Sequence, residues 1–160
     1  MRILVSPSKT KKLKGIATTE LFSESLTGRI LQSVKRLSAE SLGKLLKLKT
    51  DKAAQLQTFY EQFETMPEGA AGESYTGLAF KNLDWSTLST EDKKYGEAHL
   101  IILSALYGMA TPNSPIKEYR LDLVDPILRN EGTTLYEVWR KSVNDALQRE
   151  DWLLNSASKE

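Results

Sequence analysis

Four lysines lie within nine positions of this sequence, with Asp51 as the single acidic residue among them. They are Lys44, Lys47, Lys49 and Lys52. Lysine is a point charge that suits phosphate, and the first N–H groups of a helix also attract anions. A helix that begins near Thr50 would place its N-terminus beside these charges. The cluster predicts a phosphate-binding turn, and a solvated basic edge of two helices is the alternative interpretation.

A second basic group follows the first apolar run, in the stretch "SPSKTKK" with Lys9, Lys11 and Lys12. Its hydroxyl and ammonium groups suit an anion, and a loop with surface lysines is the alternative interpretation. Neither the P-loop pattern nor G-x-G-x-x-G occurs anywhere in the chain. An anion at this loop would therefore be bound without a glycine-rich phosphate cradle.

Several kinds of chemistry are excluded by composition. The chain has no cysteine, which excludes disulfides, thiolate nucleophiles and Cys-ligated metals. Its single histidine, His99, is interpreted as a structural residue at the start of a strand, and no G-x-S-x-G elbow is present. We expect no metal and no cofactor.

The charge is divided unevenly along the chain, although the net charge is only +1. Residues 1–52 carry 12 basic and 4 acidic side chains, a net +8, and residues 53–160 carry 10 and 17, a net −7. A basic third of this kind indicates either an anionic partner or complementarity between the two halves. No apolar run approaches the ~20 residues that span a bilayer. We expect a cytoplasmic protein of one domain, residues 1–160, without a membrane partner.

The elements that would position the basic groups can be predicted from apolar spacing. Residues 2–6 predict a first strand, and apolar residues between 21 and 37 recur at helical spacing. Residues 38–64 predict two helices joined by a tight turn, with Ser38 and Thr50 as their N-caps.

The rest of the chain predicts alternating strands and helices. Strands are expected at 78–80, in the apolar run that follows His99, at 116–123 and, buried, at 152–155. Helices are expected at 87–98, capped by Thr90, and at 134–149. The order indicates an α/β fold, with a mixed sheet and helices.

Several fragments resemble the peroxide-stress protein YaaA family, in the order in which that family has them. They are "ILVSPSKT", "TTELF", "LKLKTDKAAQL", "HLIILSALYGMATP", "YRLDL", "LYEVW" and "LNSASKE". The resemblance covers nearly the whole chain. It implies a YaaA-type fold, a basic cleft and a helix-hairpin-helix that binds double-stranded DNA. It also implies a role in limiting peroxide damage by lowering unincorporated intracellular iron.

The sequence departs from the family pattern in three places. The hairpin turn is Lys49-Thr50-Asp51 where glycines are usual, and Ala105 replaces the first glycine of Ser-Gly-Leu-Tyr-Gly. The sequence also stops at Glu160, inside a motif after which relatives usually continue. From that last departure we expect an exposed apolar face near residues 152–154 and a possible homodimer.

Three functions are consistent with these patterns. The preferred one is a stress-response protein, not an enzyme, that binds duplex DNA without base specificity through the lysine-rich third. The alternative is an enzyme acting on a phosphorylated or nucleotide-like small molecule. Its candidate pocket consists of polar positions within the family motifs: Ser6, Lys9, Tyr119, Arg120, Asn155 and Ser158. The third is iron binding by Glu118 and Asp122, which would share one face of a strand.

Overall fold

The structure, a computed structural model, describes residues 1–158. Seven α-helices fall in this range: α1 Glu24–Lys35, α2 Ala39–Leu46, α3 Thr50–Glu61, α4 Ala71–Ser74, α5 Leu78–Leu83, α6 Thr90–His99 and α7 Leu135–Leu147. Six strands accompany them: β1 Arg2–Val5, β2 Gly69–Ala70, β3 Leu100–Ser104, β4 Gly108–Ala110, β5 Pro115–Ile116 and β6 Leu153–Asn155. Short 3₁₀ turns occur at Phe63–Thr65, Trp85–Thr87 and Arg129–Glu131. The α/β class is confirmed.

The main sheet is mixed, with the strand order β4-β3-β1-β6. Strand β1 pairs in parallel with β3 on one side and with β6 on the other. Strand β4 returns antiparallel to β3, and β2 and β5 form a separate antiparallel pair. The carboxyl ends of three parallel strands therefore meet at one edge of the sheet.

The N-terminal helices form a layer that buries one face of each helix. Helix α3 packs against α1 and α2, and its buried residues, Ala53, Leu56 and Tyr60, recur at three and four positions. The predicted cap at Ser38 is confirmed, because its side chain accepts a hydrogen bond from the Ser41 N–H. Residues 47–49 join α2 to α3, and α3 ends at Glu61.

Two predicted caps are one residue away from the observed ones. Thr50 and Thr90 are the first residues of α3 and α6, and the N-caps are Lys49 and Ser89. The Ser89 hydroxyl accepts from the Asp92 N–H, whereas Lys49 makes no side-chain capping bond. The first turn of α3 is therefore left without a side-chain acceptor from its own cap.

Two predicted strands are wrong. Residues 78–80 begin helix α5, in which Phe80 is buried while Leu78 is 76% exposed. Within 116–123 only Ile116 lies in a strand, as the last residue of β5. The backbone beyond it bonds to side chains instead of to a neighbouring strand: the Tyr60 hydroxyl donates to the Arg120 carbonyl and accepts from the Arg120 N–H.

Strand β6 lies where it was predicted, but the expectation that it is buried is wrong. It forms an edge of the sheet, and the exposed fractions of Trp152 and Leu154 are 75% and 55%. The expected apolar face is therefore present. The predicted structural role of His99 is consistent with its place: it ends α6, and its Nδ1 donates to the Met1 carbonyl at 2.7 Å.

No helix among residues 1–158 is long and apolar enough to cross a membrane.

Candidate functional site

The turn between α2 and α3, residues 44–52, presents its four lysine side chains to solvent. Lys44 forms an ion pair with Glu40 one helical turn earlier, at 2.6 Å, and Lys52 donates to Gln55 at 3.3 Å. Lys47 is the C-cap that follows α2, with a φ of 54°, a left-handed conformation that glycine usually supplies. We call residues 44–52 the lysine turn.

The electrostatics of the lysine turn are positive on balance. Among residues 1–158, neither Lys47, Lys49 nor Lys52 takes part in an ion pair. The N-terminus of α3 adds the positive end of a helix dipole at the same place. The turn can therefore attract an anion without first breaking internal salt bridges other than the one at Lys44.

The loop after β1 places its three lysines in different surroundings. Lys12 is exposed, and Lys9 forms an ion pair with Asp122 at 3.4 Å. Lys11 turns inward: its Nζ donates to the Tyr119 carbonyl at 3.0 Å and lies 4.1 Å from the centre of the Tyr119 ring. Burial lowers the pKa of Lys11 to about 8, although Asp122 opposes that shift.

The two basic groups lie near opposite ends of α3. Lys52 lies in the first turn of α3. Tyr60, near the end of the helix, bonds to Arg120, and Lys11 bonds to the neighbouring residue, Tyr119. Lys52 and Tyr60 are eight positions apart in the helix, which is about 12 Å along the axis. The lysine turn is therefore one basic surface, and the loop after β1 is another.

A cleft of about 190 Å³ opens at the edge where the parallel strands end. Ser6 follows β1, Asn155 ends β6, and Ser158 lies beyond it. The Ser6 and Ser158 hydroxyls are 2.8 Å apart, and the Ser158 N–H donates to Ser6. Asp122 lines the cleft opposite the strands. Ligands of open α/β sheets bind in such a crevice, outside the carboxyl ends of the strands.

A buried hydroxyl network lies behind this edge. The Tyr119 hydroxyl is 2.8 Å from that of Tyr75 and 2.9 Å from Ser104 Oγ, which also accepts from the N–H groups of Leu106 and Tyr107. Burial raises the pKa of Tyr119 to about 12 and that of Tyr75 well above its ordinary value. Both phenols are therefore neutral donors and acceptors that hold the segment carrying Asp122 against the sheet.

An apolar cavity of about 320 Å³ adjoins the polar cleft. Leu103, Leu123 and Tyr136 line both spaces, so that they share one wall. Trp139 lines the apolar part, and its Nε1 donates to the Ala105 carbonyl at 2.9 Å.

The replacement of glycine at Ala105 is accommodated by the backbone, since the non-glycine residues with positive φ in the described range are only Lys47 and Asp84.

Half of the six positions predicted for the pocket line the cleft directly, namely Ser6, Asn155 and Ser158. Lys9 reaches the cleft through its ion pair with Asp122, and Tyr119 belongs to the buried network. The Arg120 side chain is exposed.

Three residues that line the apolar cavity were not predicted from the sequence as site residues: Leu123, Tyr136 and Trp139. Trp139 lies in the helix predicted at 134–149, and no sequence signal separates a buried ring that borders a cavity from one that does not.

The iron hypothesis lacks its expected geometry. Glu118 and Asp122 are outside any strand, because residues 117–123 have irregular backbone. Glu118 is exposed, whereas Asp122 is paired with Lys9. Within residues 1–158 no group of three or more His, Cys, Asp or Glu side chains is placed to hold a metal ion.

The fold and these sites define a class: an α/β protein with a cleft at the carboxyl edge of its parallel strands and a lysine-rich helical turn. The sequence model described as "Peroxide stress protein YaaA" matches residues 1–160. The chain therefore belongs to the peroxide stress protein YaaA family.

Relatives named UPF0246 protein occur in several bacteria. The chain is 30% identical to one from Finegoldia magna, over all of this chain and 64% of the relative. It is 32% identical to one from Acaryochloris marina, over 92% of this chain and 61% of the relative. A third, from Bacteroides thetaiotaomicron, is 34% identical over 91% of this chain and 59% of the relative. The chain thus spans about three fifths of the length of these relatives.

Proposed function

We propose that this peroxide stress protein binds double-stranded DNA without base specificity through the lysine turn. One observation supports this most: four exposed lysines flank the uncapped start of α3, and a single ion pair neutralises one of them. Phosphates can take the place of Glu40 at Lys44, because that pair is fully exposed and contributes little. Lys9 and Lys12 would add contacts only if the duplex also reached the loop after β1.

The helical pair differs from the usual DNA-binding hairpin in its turn. Glycines normally let such a turn approach the phosphates, and here Lys47 takes the left-handed position instead. We infer that lysine charge, more than close backbone approach, supplies the affinity. Binding should therefore depend steeply on salt and hardly on base sequence.

The test is a fluorescence anisotropy titration of labelled duplexes of different sequence at several salt concentrations. Three to four phosphate contacts predict a log–log slope between about −2.7 and −3.6 for the unmodified chain. The variant K49Q/K52Q should weaken binding to every duplex and make the slope shallower by about 1.8. The matched control K81Q/K94Q removes two exposed lysines from α5 and α6 and should change neither. Equal effects of both double variants would leave only a general charge effect and refute the proposal.

We further propose that the protein acts in the cytoplasm to limit damage linked to unincorporated iron during peroxide stress. Iron reacts with peroxide to give radicals that cut DNA, so that a protein bound along DNA would act where the damage occurs. A strain lacking the gene should show more chelatable iron after peroxide, and the wild-type gene should restore the lower value. If K49Q/K52Q restores it equally well, the iron effect does not depend on the lysine turn.

A second candidate function, action on a nucleotide-like small molecule, is supported by one specific observation. Three of the six positions predicted for a pocket line a single cleft at the sheet edge. If the cleft takes a small ligand, binding should raise the melting temperature of the protein. A thermal-shift series with ribose 5-phosphate, nucleosides and nucleotides tests this, and no shift with any of them would argue against it.

A further inference from the structure

The polar cleft and the apolar cavity lie side by side and differ in their chemistry. They share the wall formed by Leu103, Leu123 and Tyr136. Their volumes, about 190 and 320 Å³, together fall within the range of small-molecule sites. A ligand that fills both parts must have a polar end and an apolar or planar end.

The polar part contains hydroxyls, an amide and a carboxylate: Ser6, Ser158, Asn155 and Asp122. A carboxylate accepts hydrogen bonds from two neighbouring hydroxyls, and it repels a phosphate group. The ion pair with Lys9 offsets most of the negative charge of Asp122. This part therefore favours a neutral group with adjacent hydroxyls, such as a ribose diol, over a phosphate.

The second part is predominantly apolar, with Leu103, Leu123, Trp139 and Val143 in its lining. Arg140 and Asn144 are exposed residues of α7 at its rim. Arginine stacks on flat rings, and an asparagine side chain offers both a donor and an acceptor to the edge of a base. These groups suit a nucleobase better than an aliphatic chain.

We propose that this two-part site binds a ribonucleoside, with the ribose diol at Asp122 and the base in the apolar part beside Trp139 and Val143. The inference rests on the second candidate function, a small-molecule site at the sheet edge, and is independent of DNA binding by the lysine turn. It narrows the ligand class from phosphorylated and nucleotide-like molecules to those with an unmodified ribose 2′,3′-diol and a base.

The experiment is isothermal titration of the full chain with adenosine, guanosine, cytidine and uridine in turn. At least one should bind with a Kd below about 1 mM. The 2′,3′-dideoxy form of that nucleoside should bind at least about tenfold more weakly, because the bonds to Asp122 are lost. The variant Asp122→Asn should weaken the ribonucleoside by a similar factor and leave the dideoxy form unchanged.

Two valine substitutions test the apolar part. Val143→Phe adds bulk inside it and should weaken every nucleoside about tenfold or more, whereas Val124→Phe makes the same change on the exposed surface and should have no effect. Circular dichroism melting of each variant checks that it folds, and the dideoxy comparison needs no variant at all.

Three results would overturn the inference: no ribonucleoside binds, the dideoxy form binds equally well, or Val143→Phe has no effect. If ribose 5-phosphate binds in the same cleft while nucleosides do not, the small-molecule site stands and the ribonucleoside assignment alone fails.

Discussion

The hydroxyl network behind the sheet edge predicts that substitutions at Tyr119 and Tyr75 have non-additive effects on the free energy of unfolding. Ser104 Oγ accepts from two backbone N–H groups, so that its own proton is directed to Tyr119 and the Tyr119 proton to Tyr75. Tyr119→Phe breaks both bonds and leaves a buried Ser104 proton and a buried Tyr75 oxygen without these partners. Tyr75→Phe breaks one bond and leaves only the Tyr119 proton.

The magnitudes follow from what each variant leaves unpaired. A buried polar group without its partner costs roughly 1–3 kcal/mol. Tyr119→Phe, which leaves two such groups, should therefore cost about 2–6 kcal/mol, and Tyr75→Phe, which leaves one, about 1–3 kcal/mol. The double variant removes both phenol hydroxyls and leaves only the Ser104 proton unpaired, at a cost of about 1–3 kcal/mol. Adding Tyr75→Phe to the Tyr119→Phe chain should thus restore stability.

Urea unfolding followed by circular dichroism measures all four proteins, and equal m-values establish that the unfolded states are comparable. For a chain of this size a recovery of about 1 kcal/mol corresponds to a rise in Tm of roughly 2–4 °C. Additive single effects, or a double variant less stable than Tyr119→Phe, would refute the proposed proton directions.

Three further predictions concern other parts of the molecule. Gly108→Ala should destabilise the protein by about 2 kcal/mol or more in urea unfolding, because φ is +71° and a Cβ would lie 2.6 Å from the Trp139 ring. As a control, Gly28→Ala in α1 has open space for the added Cβ and should instead stabilise the protein by about 0.5–1 kcal/mol. The free energy of unfolding should rise between about pH 8 and the ordinary lysine pKa of 10.5, because folded Lys11 holds its proton less tightly than unfolded Lys11. Urea unfolding at several pH values measures this rise. If the variant Lys11→Met shows the same rise, the prediction is contradicted. Sedimentation should detect concentration-dependent self-association that W152S/L154S reduces, and a wild-type monomer at every concentration would count against a homodimer at the exposed face.

Part of the fold was predictable because local signals and tertiary packing agree. The apolar run before Ser6, the cap at Ser38 and the capping box formed by Thr134 and Glu137 all act within a few residues. The cleft residues Ser6 and Asn155 were predictable for a related reason, since polar groups at the ends of parallel strands gather at one edge.

The failures occur where a distant partner decides the structure. Residues 116–123 alternate as a strand does, but Tyr60, Tyr107 and Lys11 supply hydrogen bonds to that backbone from elsewhere in the chain. The apolar run at residues 78–80 is too short for its periodicity to separate helix from strand. The inward turn of Lys11 also depends on aromatic rings that sequence spacing does not reveal.

The position of β1 has a consequence for the order in which the protein is built. Its partners are Leu100–Ser104 on one side and Leu153–Asn155 on the other, so that both pairings are highly non-local. At a synthesis rate of about 5–20 residues per second, β1 waits roughly 5–20 seconds for its first partner to be made. During that time a short apolar segment leaves the ribosome with two unpaired backbone edges. Pairing of β1 therefore cannot begin before Leu100–Ser104 has been made, and we expect the nascent chain to bind chaperones at the ribosome exit until then.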